Sequence, residues 1–325
     1  MTTTPPPFDP ELAAALAVMG EQAPTTLLPE WISMAREAGG DGPFQLPTNE
    51  DLSHDGAFDV EERTVPGPEG APDISLIICR PTAAPGPRPV VYHTHGGGMV
   101  LGNNRLGLDR IVEWAAELGL VVVSVEYRLA PEHPHPAPVE DCYAGLLWTA
   151  ENAKEIGGDP DRIILAGASA GGGLAAALTL LARDRNGPRP IGQMLLCPMI
   201  DDRNDTPSAL QMAGLGVWDR TANETGWSAL LGAARGTADV SPYAAPARAE
   251  DLSGLPPAFI DVGSAETFRD EDVAYASRIW QAGGQAELHV WPGGFHGFDM
   301  LAPQAAVSQD AQAARVRWLH RLLGE

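Results

Sequence analysis

The sequence predicts an α/β fold: a mostly parallel central sheet with helices on both faces, and two non-core pieces placed to meet over one end. Three observations carry that expectation. Near-uniformly apolar strands alternate with helical patterns through the middle of the chain, as in a sheet covered on both sides. The alternation lapses between Asp201 and about Ala249, then resumes to the end. Inside it, "ILAGASAGGGLAAAL" at 164–178 runs an apolar strand through glycines and one serine into a helix.

Taken in order, the first 55 or so residues stand apart. They hold two short helical patterns, "PELAAALAVMG" and "LPEWISMAREAGG", then a Pro/Gly/Asp-rich stretch. Strand-like segments follow: "FDVEERTV", "DISLIICR" and "RPVVYHTH", the last opening into Gly96, Gly97 and Gly98. The alternation proper comprises helix "RIVEWAAELG", strand "LVVVSVEYR", helix "VEDCYAGLLWTAENA", strand "RIILAGA", helix "GGLAAALTLLAR" and strand "GQMLLCPMI". Residues 201–249 read as a Gly/Ala-rich helical segment with Trp218 and Trp227. Strand "PAFIDVG", helix "DVAYASRIWQAG", strand "AELHVW" and an amphipathic helix over about 305–323 complete the chain. The expected organisation is a core of 56–200 and 250–325, with 1–55 and the insertion 201–249 meeting over one end as a cap.

Composition narrows the function classes. With 21 Lys plus Arg against 43 Asp plus Glu, the net charge is −22, which opposes binding to nucleic-acid phosphates or an anionic membrane. A small neutral substrate is expected instead. Cys79, Cys142 and Cys197 lie far apart in apolar sequence with no C-x-x-C spacing, so buried free thiols are expected rather than a disulfide framework. "MTTTPPPFDP" has neither a basic start nor an apolar run, and no stretch approaches the roughly 20 apolar residues of a membrane span. A cytoplasmic location is the corresponding expectation.

Ser169 sits in Gly167-Ala168-Ser169-Ala170-Gly171, a G-x-S-x-G pattern at a strand-to-helix turn. Ligands bind at the carboxyl ends of parallel strands, and a sharp turn there pushes one side chain into the site. A serine hydroxyl needs a neighbouring base, and the base an acid to orient it. Among the histidines well beyond the serine, His289 lies within a strand and His320 on a basic helix surface. His296, in the loop "PGGFHGF" just after a strand, is placed where a base belongs. The Gly-rich "HTHGGGMV" at 93–100 offers backbone N–H groups to a developing oxyanion: Gly97 and Gly98, with the amide of Ala170. His93, His95, His133 and His135 lack a completing carboxylate or cysteine at ligand spacing and read as structural, so no metal is expected.

Together, "HGGG" at 95–98, "YRLAPEHPHPAPVED" at 127–141, "GASAGG" at 167–172 and "GFHGF" at 294–298 resemble the bacterial hormone-sensitive-lipase-like esterases. The resemblance runs from about residue 56 onward. It implies an α/β-hydrolase fold with a helical cap, and a cofactor-independent carboxylesterase for short- to medium-chain acyl esters, with Ser169 as nucleophile and His296 as base. Gly97, Gly98 and Ala170 would be the oxyanion donors, and His95 a brace for the glycine loop. Two positions depart from the family pattern. Ala168 stands where an aspartate is usual. The run that usually begins Asp-Pro-Leu-Arg-Asp-Glu is here Glu266-Thr267-Phe268-Arg269-Asp270-Glu271, which makes Glu266 the acid. Asp261 falls within its strand, and Asp270 reads as the N-terminal cap of the next helix.

Trp31, Met34, Leu215 and Trp218 either line a substrate pocket or form the cap's own core. The resemblance also implies a homodimer through the strand "AELHVW" or the final helix. Two rival readings remain: hydrolysis of a related amide, aryl-formamide or lactone bond, and a non-catalytic small-molecule receptor. Plant gibberellin receptors of this fold lose the histidine that His296 represents here.

Overall fold

The computed structural model describes residues 4–20, 26–37, 46–83 and 86–324. Its framework is one eight-stranded sheet: β1 (Phe58–Val65), β2 (Ile74–Pro81), β3 (Arg88–Thr94), β4 (Val121–Val125), β5 (Gly158–Ala168), β6 (Gly192–Leu196), β7 (Ala258–Gly263) and β8 (Ala286–Trp291). The order across the sheet is β1-β2-β4-β3-β5-β6-β7-β8. β2 pairs antiparallel with β1 and β4, and every other pairing is parallel.

The uniformly apolar strands are explained by two buried faces. In β4, Val121, Val123 and Val125 enter one cluster while Val122 enters the other; in β3, Val90 and Tyr92 oppose Val91 in the same way. This is the two-residue period of a strand with each face covered by helices. On the first face lie α5 (Ala137–Asn152), α6 (Ala170–Asp184) and α9 (Arg269–Gln281), through residues such as Leu146, Leu178 and Ile279. The second face carries α4 (Leu108–Leu118) and α11 (Ala306–Leu323), through Ile111, Trp114, Trp318 and Leu319.

Outside the alternation are α1 (Pro10–Gly20), α2 (Ile32–Glu37), α3 (Asn49–Ser53), α7 (Pro207–Gln211), α8 (Arg220–Leu231) and α10 (Phe298–Leu301). The second predicted helical pattern survives as a 3₁₀ turn and α2; its remainder lies outside the described residues. α3 had no visible pattern. It is nucleated by a capping box between Thr48 and Asp51, and Leu52 joins the cluster under α4. The first 55 residues therefore reach two places, since α3 sits against α4 and β1. The segment before it touches 201–249: Thr26 Oγ1 donates to Asp219, Thr225 Oγ1 to the Leu27 carbonyl, and Gln211 to the Thr4 carbonyl.

Two local expectations change. β6 ends at Leu196 rather than running to Ile200, because the chain turns there: the Cys197 amide bonds to the Asp261 carbonyl and Met199 to that of Ser169. Asp270 does not cap α9. The residue before α9 is Phe268, and the Asp270 carboxylate instead accepts from the Ser208 amide in α7, joining the insertion to the core. No helix among the described residues is long and apolar enough to cross a membrane.

Candidate active site

The site lies at the carboxyl ends of β3, β5 and β7, where loops leave the sheet on one side. Ser169 occupies the turn between β5 and α6, with φ 58° and ψ −125°, a positive φ that a side-chain-bearing residue rarely adopts. The surrounding backbone enforces it. A Cβ on Gly171 would stand 2.0 Å from the Thr94 carbonyl oxygen and 2.6 Å from that of His95, so glycine alone lets α6 start this close to β3. The Ser169 amide donates to the Leu196 carbonyl at 2.8 Å, and the Ser169 carbonyl accepts from Met199 at 2.9 Å. β6 and the segment after it thus hold the turn by backbone bonds, while β3 crowds it from the other side.

Ser169 Oγ is 3.0 Å from Nε2 of His296, and His296 Nδ1 is 2.6 Å from Oε1 of Glu266. The carboxylate is an acceptor, so Nδ1 carries the hydrogen toward Glu266. Nε2 is then left with the lone pair that faces the serine hydroxyl. Glu266 is 2% exposed, and its Oε2 accepts from the Gly263 amide at 3.1 Å, which pins the carboxylate at the end of β7. The alternative acid, Asp261, is not near the histidine ring: it accepts from Trp291 Nε1 and Arg315, facing away into the core.

The glycine loop lies beside the serine, since a Cβ on Gly96 would stand 3.5 Å from that of Ser169. The N–H groups of Gly97, Gly98 and Ala170 have no acceptor among the described residues. Two undonated amides therefore lie in the glycine loop and a third, that of Ala170, at the first turn of α6, where the helix dipole favours negative charge. His95 is fully buried, its ring stacked on Tyr127 with centroids 4.0 Å apart; its Nδ1 meets the Gly96 carbonyl, and Tyr127 OH donates to the His95 carbonyl. Burial lowers its pKa to about 4 and that of His93 to about 3, so both are neutral structural side chains.

Of the four candidate pocket residues, Trp218 reaches the site. Its ring blocks the space above Gly98, where a Cβ would meet the indole at 2.2 Å, and its centroid is 6.5 Å from that of His296. Thr267 Oγ1 donates to the Trp218 carbonyl at 2.7 Å and fixes its backbone. Phe268 packs edge-on against His296 at 5.2 Å and was not singled out in the sequence. Met34 is largely exposed, Leu215 is partly exposed, and Trp31 packs against the core.

Cys197 is the second residue that sequence reading placed differently. It is half-buried at the edge of the apolar core, with one ligand-capable atom from each of Cys197, Glu266 and His296 within 4.8 Å of the others.

Fold and site geometry together define an α/β hydrolase. Residues 91–300 match the alpha/beta hydrolase fold family, and the chain belongs to that family, in its bacterial hormone-sensitive-lipase-like branch. It is similar to Carboxylesterase NlhH of Mycobacterium tuberculosis, 40% identical over 275 residues that cover 80% of this chain and 83% of that protein. Esterase LipI of the same organism is 37% identical over 246 residues, 74% of each. Among solved structures, Bacterial Heroin Esterase superposes with a TM-score of 0.87 at 38% identity, covering 97% of this chain and 98% of that one.

Proposed function

We propose that the chain is a carboxylesterase hydrolysing short- to medium-chain acyl esters through an acyl-enzyme on Ser169. The observation that carries this reading is the continuous hydrogen-bonded line from Ser169 through His296 to Glu266 beside three undonated amides. In the first half-reaction Ser169 Oγ attacks the ester carbonyl carbon while its proton passes to Nε2 of His296. The carbonyl oxygen, now negative, is held by the amides of Gly97, Gly98 and Ala170. Collapse breaks the bond to the alkoxy oxygen, which leaves with the proton from Nε2. Water then attacks the acyl carbon, giving its proton to the same nitrogen, and the acid departs as Ser169 recovers its hydrogen. Glu266 holds the imidazole in the tautomer this requires and stabilises the transient imidazolium. No metal or cofactor takes part.

In this reading 1–55 and 201–249 form a cap over the core of 56–200 and 250–325, supported by their mutual hydrogen bonds and by Trp218 at the pocket wall. The family resemblance implies a preference for acyl chains up to roughly eight carbons, and the charge of −22 argues against docking on an anionic lipid surface. Ser169→Ala should fold normally and lose about 10⁶ in kcat. A chromogenic ester panel gives the chain-length optimum, and an organophosphonate should label Ser169. Labelling at another serine, or fastest turnover on long-chain emulsions, overturns the corresponding part. A homodimer through β8 and a cytoplasmic location belong to the same reading: β8 has an unpaired edge, beside which Trp280 and Val290 are exposed. A monomer mass by light scattering, or recovery outside the cytoplasmic fraction, removes the one or the other.

A further inference from the structure

We infer that Cys197, Glu266 and His296 form an inhibitory binding site for a thiophilic divalent cation such as Zn²⁺. The three side chains come from three separate places, the turn after β6, the loop after β7 and the loop after β8, yet their ligand atoms lie within 4.8 Å of one another. Zinc bonds of about 2.3 Å to sulfur and about 2.0–2.2 Å to nitrogen and oxygen place tetrahedral ligands some 3–4 Å apart. Side-chain shifts of about 1 Å therefore suffice. Thiolate, imidazole and carboxylate are the donor set zinc accepts, whereas Mg²⁺ and Ca²⁺ demand oxygen alone. Three protein ligands leave a fourth position open, which a water can fill.

Cys197 is half-buried, unlike Cys79 and Cys142, which are fully buried. The Glu266, Asp299, Asp261 and Asp272 carboxylates all act electrostatically on Cys197. The same negative surroundings favour a divalent ion. On binding, the thiol proton leaves to solvent, and sulfur, an imidazole lone pair and a carboxylate oxygen become ligands. The imidazole keeps one proton throughout. If the ion takes Nδ1, that proton moves to Nε2 and faces Ser169 as a donor. If it takes Nε2, the lone pair that would accept the serine proton is occupied. Either arrangement removes the base, so the bound ion blocks turnover.

The inhibition rests on the roles proposed for Ser169 and His296; the binding does not. Full-length protein is titrated with Zn²⁺ during ester hydrolysis, with Mg²⁺ as control, and separately with Co²⁺ in the absence of ester. Wild type should be inhibited by Zn²⁺ and not Mg²⁺, reversibly on adding a chelator. It should also develop the near-ultraviolet charge-transfer band of a thiolate bound to Co²⁺. Cys197→Ala, folded by circular dichroism, should lose the Co²⁺ band and need at least about 100-fold more Zn²⁺, since even an outer-shell partner is worth 10–100-fold in metal affinity. A Zn²⁺ sensitivity within about threefold of wild type in Cys197→Ala, or a Co²⁺ spectrum without that band, overturns the site. A band in a protein that hydrolyses no ester would keep the site and remove the functional reading.

Discussion

The serine turn and the histidine loop face each other across 3.0 Å, yet they are held in opposite ways. The turn at 167–171 is fixed by backbone: Gly171 against β3, the Ser169 amide on Leu196, its carbonyl on Met199. The loop at 292–298 is fixed by side chains and segments from far along the chain. From the N-terminus, the Asp9 amide donates to Gly293, Phe8 packs edge-on against Phe295, and Leu12 of α1 is buried with Phe295 and Phe298. From the C-terminus, Arg315 of α11 pairs with both Asp261 on β7 and Asp299 on α10, directly after the loop. Ser169 is thus held by the backbone around its own strand, whereas the position of His296 depends on both ends of the chain. The reactive turn should tolerate distant changes, and the histidine should not.

The largest break on the histidine side is expected at Glu266, which both orients the ring and carries its countercharge. Glu266→Gln keeps the shape but removes the charge, and kcat should fall by about 10⁴ with the fold intact. Asp270→Asn serves as the contrast, because that carboxylate holds Ser208 and no histidine; it should cost on the order of 1 kcal/mol of stability and leave turnover nearly unchanged. Steady-state kinetics beside thermal melts separates the two. Near-wild-type turnover in Glu266→Gln would remove the carboxylate from the mechanism.

Arg315 comes next. It is 3% exposed and is the cation for two buried carboxylates; burial raises the Asp261 carboxyl above its ordinary pKa even with Arg315 beside it. Arg315→Met leaves both acids without a countercharge and should cost about 3–5 kcal/mol. Arg315→Lys keeps the charge but not the fork, and should lose less. The two-sided arrangement predicts where the damage appears. Amide exchange should quicken at 293–299 while the hydrogen-bonded amides of Ser169 and Gly173 stay protected, and kcat should fall more than KM rises. Equal deprotection of both segments would mean that the two sides are not held independently.

The same contrast explains what was legible in the sequence. G-x-S-x-G, the glycine loop and the apolar strands are local patterns, and local sterics dictate them: Gly171 is glycine because Thr94 is 2.0 Å from where a Cβ would be. The eight strands, the Ser169 turn and the loop of His296 could therefore be read along the chain, whereas Glu266 is pointed to by the family resemblance. The supports of the histidine loop could not. Arg315 looks like one more basic position on an amphipathic helix, and nothing near Asp9 or Leu12 names Gly293 or Phe295 as a neighbour. Cys197 sits in an apolar run whose strand stops one residue earlier, with φ 37° at the turn, and no propensity marks that stop. Asp270 misled for a related reason: an acid before a helix is usually its cap, but here a second helix competes for it.

The smallest effect sharpens the comparison by testing the exception, a side chain that supports the serine side from a distance. Glu271, in the first turn of α9, accepts from the Ile200 and Asp201 amides through Oε1, bracing the segment whose Met199 amide bonds to the Ser169 carbonyl. Its Oε2, and both oxygens of the adjacent Asp272, have no partner among the described residues. Desolvation, and then repulsion between these carboxyls and neighbouring acids, raises both well above the ordinary carboxylate range. A folded-state pKa above the unfolded one means that the folded protein binds more protons as pH passes upward through the ordinary carboxylate range, near 4. That stabilisation is complete below the unfolded pKa and is lost as pH rises toward the folded one, at up to about 1.4 kcal/mol per pH unit for each proton. Asp272→Asn removes one of the two titrations and the charge that repels Glu271, while leaving the Glu271 bonds to Ile200 and Asp201 in place. Thermal melts from about pH 5 to about pH 9 should therefore show a shallower decline for the variant, with the two proteins nearest each other at the acid end. Parallel curves would mean that Asp272 does not titrate within the fold, and that the serine side, like the turn itself, is supported without a pH-dependent element.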